Sequence, residues 1–277
     1  MILLKRMIRL VHIQKHLPSS GNAAYRLHNA FLEVGYESSM LSQSSDISGD
    51  DKTCRLNKLY QALTFIDGKI LKFLTRKAEK NYGLFSFPIL GVDISKNEKI
   101  QKADIIYIHW INGGFLNFRS LKRLAKLNKP IVFIMHDMWT ITGGCHHSFT
   151  CEKYLTGCNH CPIFPRTKFN DLSRIEFIRK NRLYQRFENF FFVAPSKWLY
   201  ECARNSKLTF NKPVFYIPNL IDQNFFKSFN KATAKQLLSI GNVYKVISFG
   251  AISVNSPYKG FVYLREALDI LSKKLTE

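Results

Sequence analysis

Solid runs of β-branched and aromatic residues, each followed by a stretch with helical spacing, constrain this chain more than any other feature. The runs Ile8–Ile13, Glu37–Leu41, Asp104–His109, Pro130–Met135, Phe190–Ala194, Val214–Ile217 and Lys245–Phe249 read as strands. Gly21–Val34, Arg55–Lys80, Leu116–Leu127, Ser173–Arg186, Lys197–Asn205 and Gly260–Leu275 read as helices. Strands apolar throughout must be covered on both faces, which parallel sheets with helical crossovers achieve. The pattern predicts an α/β fold with a doubly wound, Rossmann-like layer.

A break is expected after Ile217, at Pro218-Asn219, followed by a polar, Asn- and Lys-rich stretch to Asn242. Residues 1–217 then form a first domain. Residues 218–277 form a linker and the first βα unit of an incomplete second Rossmann-like domain, about 60 residues being few for a whole one. The chain is expected to be truncated there.

Charge narrows the partners. Lys and Arg number 41 against 20 Asp and Glu, a net +21, which favours polyanions: nucleic acid, sugar nucleotides or an anionic membrane face. The apolar start is cut by Lys5, Arg6 and Arg9 and lacks a small-residue cleavage site, so it does not read as a secretory signal. No run approaches the ~18 apolar residues of a membrane span. The expected address is cytoplasmic, with reduced cysteines. The long helix Arg55–Lys80 reads as core-packed with a solvated basic side, or alternatively as a helix lying on anionic headgroups.

Candidate functional residues cluster at strand ends. In open parallel sheets the carboxyl ends of the strands form the ligand crevice. DIIYIHWINGGFL puts His109, Trp110, Asn112, Gly113 and Gly114 at one such edge, and PIVFIMHDMWTITGGCHH puts His136, Asp137, Trp139, Gly143 and Gly144 at another. After the first strand, Pro18-Ser19-Ser20-Gly21 opens a helix, whose free N–H groups attract anions. In FGAISVNSPYKGF, Gly250 is expected to let the chain turn and Lys259 to reach a phosphate. Ser196 is positioned to cap the helix that begins at Lys197. Cys145, Cys151, Cys158 and Cys161 lie within 17 residues and suit a closed, structural tetrahedral zinc site; structural or redox-sensitive thiols are the alternative.

Taken together, DIIYIHWINGGFL, HDMWTITGGCHHSFTCEKYLTGCNHCP, VAPSKWLYECARNS, YIPNLID and FGAISVNSPYKGF resemble family 4 glycosyltransferases of the capsule, exopolysaccharide and colanic-acid branch. Residues 104–277 carry the resemblance well and 7–41 moderately; residues 45–100 match nothing. The resemblance implies a GT-B fold, two Rossmann-like domains across a cleft, with retention at the anomeric carbon and no cofactor required for catalysis. It assigns His136 and Asp137 to the reacting sugar, and Ser20, Gly21, Gly250 and Lys259 to a UDP- or GDP-sugar donor. His109, Trp110 and Asn112 fall on the acceptor side. The acceptor implied is a glycan or lipid-linked oligosaccharide at the inner face of the plasma membrane, where the protein would be peripheral. The family's two glutamates eight positions apart are missing: after Gly250 the chain has only Glu266 and Glu277. Little transfer by this chain in isolation is therefore expected, and a non-catalytic scaffold is the alternative. A nucleic-acid-binding role would need exposed, interleaved lysines and aromatics. The aromatics instead fall inside strand-like runs such as FENFFFV, so no nucleic-acid partner is expected.

Overall fold

A computed structural model describes residues 7–17, 22–45, 53–55, 59–76, 78–79, 83–165, 171–221, 226–241, 243–251, 253–254 and 256–276. It divides into two compact units, Met1–Leu220 and Ile221–Glu277.

The first unit is built on β1 (Arg9–Leu17), β2 (Glu37–Ser45), β3 (Thr53–Arg55), β4 (Ile105–Ile108), β5 (Ile131–Ile134), β6 (Phe190–Ala194) and β7 (Val214–Tyr216). These make one seven-stranded sheet in the order β3-β2-β1-β4-β5-β6-β7, every pairing parallel. The helices are α1 (Asn22–Glu33), α2 (Leu59–Leu74), α3 (Glu98–Lys102), α4 (Phe118–Ala125), α5 (Leu172–Arg186) and α6 (Lys197–Asn205). Strand order reverses between β1 and β4, the switch point where doubly wound sheets open a crevice at the strands' carboxyl ends.

The two sheet faces are covered unequally. One face buries Val11, Ile13, Ile106, Ile108, Phe133 and Phe192, with Tyr184 of α5 stacked edge-on against Phe192. Each such side chain contributes about 1.5–3 kcal/mol by leaving water. The opposite face carries α1 over β1, through Phe31 against His12 and Tyr107. Beyond α1, over β4 to β7, that face is an apolar groove of ≈ 410 Å³ lined by Tyr107, Val132, Ile134, Phe191 and Phe215, with His136 at its edge. Right-handed crossovers explain the asymmetry, because they place the helices linking β4 to β7 on the first face.

Local signals set the helix starts. Asn117 forms a capping box with Ser120 at α4, Asp171 caps α5, and the Ser196 hydroxyl accepts the Leu199 N–H (3.2 Å) at α6, as its sequence context predicts.

Two expectations are corrected. α2 is core-packed only in part: Leu63 and Leu71 lie against the core clusters, whereas Ile66 and Leu74 of the same stripe are exposed, as are Phe65 and Phe73, and Asp67 is buried. Asp67 turns inward because its Oδ1 accepts the N–H groups of Ile89 (3.2 Å) and Leu90 (2.8 Å). In the second unit, which contains α7 (Lys231–Leu237) and α8 (Phe261–Thr276), Lys245–Phe249 forms no strand. Val246 and Ile247 are exposed there. A strand needs a neighbour for its ladder, and no described segment pairs with this one.

Candidate functional site

Alternation along the strands puts His12, Tyr107, His109, Ile134 and His136 on the grooved face. There the carboxyl ends of β1, β4 and β5 bring three imidazoles into a row. His12 Nδ1 lies 3.1 Å from His109 Nε2, and His109 Nδ1 lies 3.1 Å from His136 Nε2. The rings stack in series with centroids 5.4 Å apart at each step. His12 and His109 are buried, whereas His136 keeps an exposed edge. Burial holds all three below the usual histidine value, His12 at about 3 and His109 well below 6.5; nearby Asp137 partly offsets the effect on His136.

The β4 end is laced to β1. Trp110 N–H donates to Gln14 Oε1 and Lys15 N–H to Trp110 O, both at 2.9 Å. The Lys15 ammonium, itself buried, donates to Gly113 O at 2.5 Å and faces Asp67; burial lowers its pKa and Asp67 opposes that. Gly113 and Gly114 have φ of +71° and +79°, in the left-handed region. A Cβ on Gly114 would also lie 2.7 Å from Thr64 Cα, so this turn closes directly on α2.

The β5 end is held by a different set. Asp137 Oδ1 accepts the Trp139 N–H (2.8 Å), and Oδ2 accepts His146 Nδ1–H (2.6 Å), with Ser86 Oγ 2.8 Å from His146 Nε2. Asp137 is held below the ordinary carboxylate range: the bond and charge of His146 outweigh its burial. Beneath the loop, the fully buried Lys180 donates to Trp139 O and to Thr142 O (3.0 Å), and lies 3.8 Å from the Trp139 ring centroid. Its ion-pair partner Glu176 is equally buried, 3.4 Å away, and burial lifts that carboxyl to about 7. Gly143 is packed so closely that a Cβ would sit 2.3 Å from Ser173 O.

Of the residues expected to act, His109 and His136 are brought into contact, but only His136 reaches the groove. Both oxygens of Asp137 are engaged in holding the loop. Trp110 is partly exposed beside Lys15. Asn112 is 1% exposed, and its Oδ1 has no hydrogen-bond partner among the described residues. Ser20 and Gly21 lie outside the described residues. In the second unit, Lys259 is exposed in a single turn with its Nζ 5.3 Å from the Tyr258 ring centroid. The left-handed glycine there is Gly260 (φ +72°) and not Gly250, where an added Cβ meets nothing within 4 Å.

The four cysteines expected as zinc ligands lie near enough to one another for their thiols to interact electrostatically. Cys145, Cys151, Cys158 and Cys161 are free thiols, and no group of three or more His, Cys, Asp or Glu among the described residues is arranged to hold a metal ion. The loop has a core of its own instead: Phe85, Phe87, Cys161, Ile163 and Phe164 pack together, and Ser86 N–H donates to Gly144 O (2.8 Å). Burial raises the Cys158 and Cys161 thiols to about 12, and Cys158 Sγ accepts the Gly143 N–H at 3.2 Å.

Sequence reasoning missed His12, Lys15, Glu176 and Lys180. His12, Gln14 and His16 carry a period-two polar signal in β1, which extends past the expected end at Ile13 to Leu17. Glu176 and Lys180 look like a solvated i,i+4 pair, and their sequence holds no sign of burial.

The fold and site define a doubly wound α/β unit with polar side chains gathered at the carboxyl ends of β1, β4 and β5. No family model matches the chain. It is 34% identical over 64 residues to a candidate colanic acid biosynthesis glycosyl transferase, WcaC, of Escherichia coli strain K12, a stretch covering 21% of this chain and 16% of WcaC. Sucrose-phosphate synthase from Thermosynechococcus elongatus superposes with a TM-score of 0.45 at 12% identity, covering 84% of this chain and 53% of the synthase. The chain thus spans about half the length of that structure and far less of the curated relative.

Proposed function

We propose that the chain is the acceptor-side portion of a retaining glycosyltransferase with the GT-B arrangement, acting in surface polysaccharide synthesis. A nucleotide-sugar, UDP- or GDP-linked, is the donor and a glycan or lipid-linked oligosaccharide the acceptor. The observation that carries this reading is His136, presented at the carboxyl end of β5, one strand from the switch point, by two buried histidines and by a loop fixed through Asp137 and Lys180. The likeness to WcaC supports the reaction class.

In this reading His136 contacts the donor sugar while Asp137 keeps the loop in place beside it. Trp110 and Asn112 belong to the acceptor wall. A departing nucleoside diphosphate accumulates negative charge, which fixed cations and helix N-terminal N–H groups stabilise. The resemblance gives that part to Gly250 and Lys259 of the second unit, and to Ser20 and Gly21, which lie outside the described residues.

The acceptor would be met at an anionic inner membrane face. No described helix is long and apolar enough to cross a membrane. α2, however, exposes Phe65, Ile66 and Phe73 among basic residues, with Lys69 Nζ 4.3 Å from the Phe65 ring centroid and the Arg76 guanidinium 4.5 Å from that of Phe73. Each basic residue near an anionic leaflet adds about 1 kcal/mol. Lys69→Glu with Lys72→Glu should weaken binding to phosphatidylglycerol vesicles by at least tenfold, and unchanged binding removes α2 from the membrane surface.

The function is tested by offering the full chain a polyprenyl-diphosphate oligosaccharide fraction with labelled UDP- and GDP-sugars. Retention of the glycolipid, or passage of label into it, supports the reading. Absence of both retention and transfer would contradict it.

A further inference from the structure

The row of imidazoles has a direction. Each hydrogen bond in it needs one proton, and a neutral His109 must donate through one nitrogen and accept through the other. Only two arrangements meet that requirement. In one, His12 and His109 each donate from Nδ1, His136 accepts at Nε2, and the single proton of His136 sits on Nδ1. In the other, every proton is on Nε2, and His12 Nε2–H points into protein.

That end of the row decides between them. His12 is wholly buried, with its ring 4.8 Å from Tyr107 in a parallel stack, 5.8 Å from Phe31 and 5.9 Å from His28. Its Nε2 has no hydrogen-bond partner among the described residues. Orphaned buried N–H groups are rarer in native proteins than under-satisfied acceptors, so the arrangement leaving a bare nitrogen there is favoured.

We propose that His12 and His109 are positioning residues that lock His136 as its Nδ1–H tautomer, so that the crevice meets a hydrogen-bond donor and not a base. The ligand atom received by His136 is then an acceptor oxygen, from a sugar hydroxyl or a phosphate. The donor-sugar assignment of that oxygen rests on the transferase reading; the tautomer does not. His28 Nδ1, 2.7 Å from Ser38 Oγ, belongs to the surroundings of His12 and takes no part in the row.

Long-range ¹H–¹⁵N correlation spectra of the full, ligand-free chain labelled at histidine test this at pH 8. The expected result is a protonated Nδ1 and a bare Nε2 on each of His12, His109 and His136. His12→Phe removes the donor to His109 Nε2 and should release His136 into a mixture of tautomers. His12→Gln, whose amide can donate to the same nitrogen, should restore the Nδ1–H form. A wild-type His136 protonated at Nε2 overturns the proposal, as does a tautomer unmoved in folded His12→Phe. If that variant does not fold, the wild-type spectrum alone decides. Because no substrate is added, failure of the transferase reading would leave these spectra unchanged.

Discussion

The turns after β4 and β5 look alike in sequence, each a histidine and a tryptophan followed by a pair of glycines, yet they are held in opposite ways. The β4 turn hangs from its neighbours: Gln14 and Lys15 of β1 hold its backbone, and Gly114 is pressed against α2. The β5 turn is held from beneath by Lys180 and from the side by Asp137 and His146. The first withdraws its histidine from solvent and the second presents one. A shared pattern of residue types therefore marks where a site lies, but the supporting partners decide which histidine meets the ligand.

Removing the support should break the two turns unequally. Lys180→Met leaves Trp139 O and Thr142 O without their buried donor and strips Glu176 of its counter-ion, at a cost of about 3–5 kcal/mol. Lys15→Met, at the less enclosed turn, should cost about 1–3 kcal/mol. Urea unfolding of the two variants makes the comparison, and an equal loss would erase the distinction drawn between the turns.

Acid should act through the buried row. His12 titrates near 3 when folded and near 6.5 when unfolded, so the unfolded chain binds more protons as pH falls below 6.5. Stability present above that pH is then lost, by about 2 kcal/mol from His12 alone between pH 6.5 and 5, and His109 adds in the same direction. His12→Phe should flatten the decline measured by urea midpoint against pH. A decline just as steep in that variant would place its cause elsewhere.

A smaller effect is expected at the glycines. Gly114→Ala combines a left-handed φ with backbone contacts at 2.7 and 2.8 Å, so α2 must shift, at about 1–3 kcal/mol. Gly35→Ala shares the positive φ (+86°) but meets nothing within 4 Å, and should cost about 1 kcal/mol. Thermal unfolding of the pair separates strain from crowding.

How much of this was legible in the sequence depended on whether a residue's partners are local. β6 and α6 begin and end where their apolar run and the Ser196 cap say they should. β3, only Thr53–Arg55, has no apolar run, and the helical spacing that follows draws Arg55 into the expected helix. Lys245–Phe249 has the composition of a strand, but none of the described segments pairs with it. In the site, the strand-end position of His136 follows from the pattern alone. The burial of Lys180, the withdrawal of His109 and the inward turn of Asp67 are set by residues tens of positions away, which spacing cannot reveal. Residues 83–97, part of the stretch that carries no family resemblance, supply Phe85 and Ser86 to the β5 turn.

One titration tests the centre of the account. Histidine-labelled chain is mixed with a short-chain polyprenyl-diphosphate sugar, and then with UDP- and GDP-sugars, while every imidazole ¹⁵N signal is followed. The ring signals of His136 should move first and furthest, those of His109 should follow weakly through the shared hydrogen bond, and His146 should stay still. Saturable binding that moves other histidines and leaves His136 silent would show that the crevice at β5 is not where this protein meets its ligand.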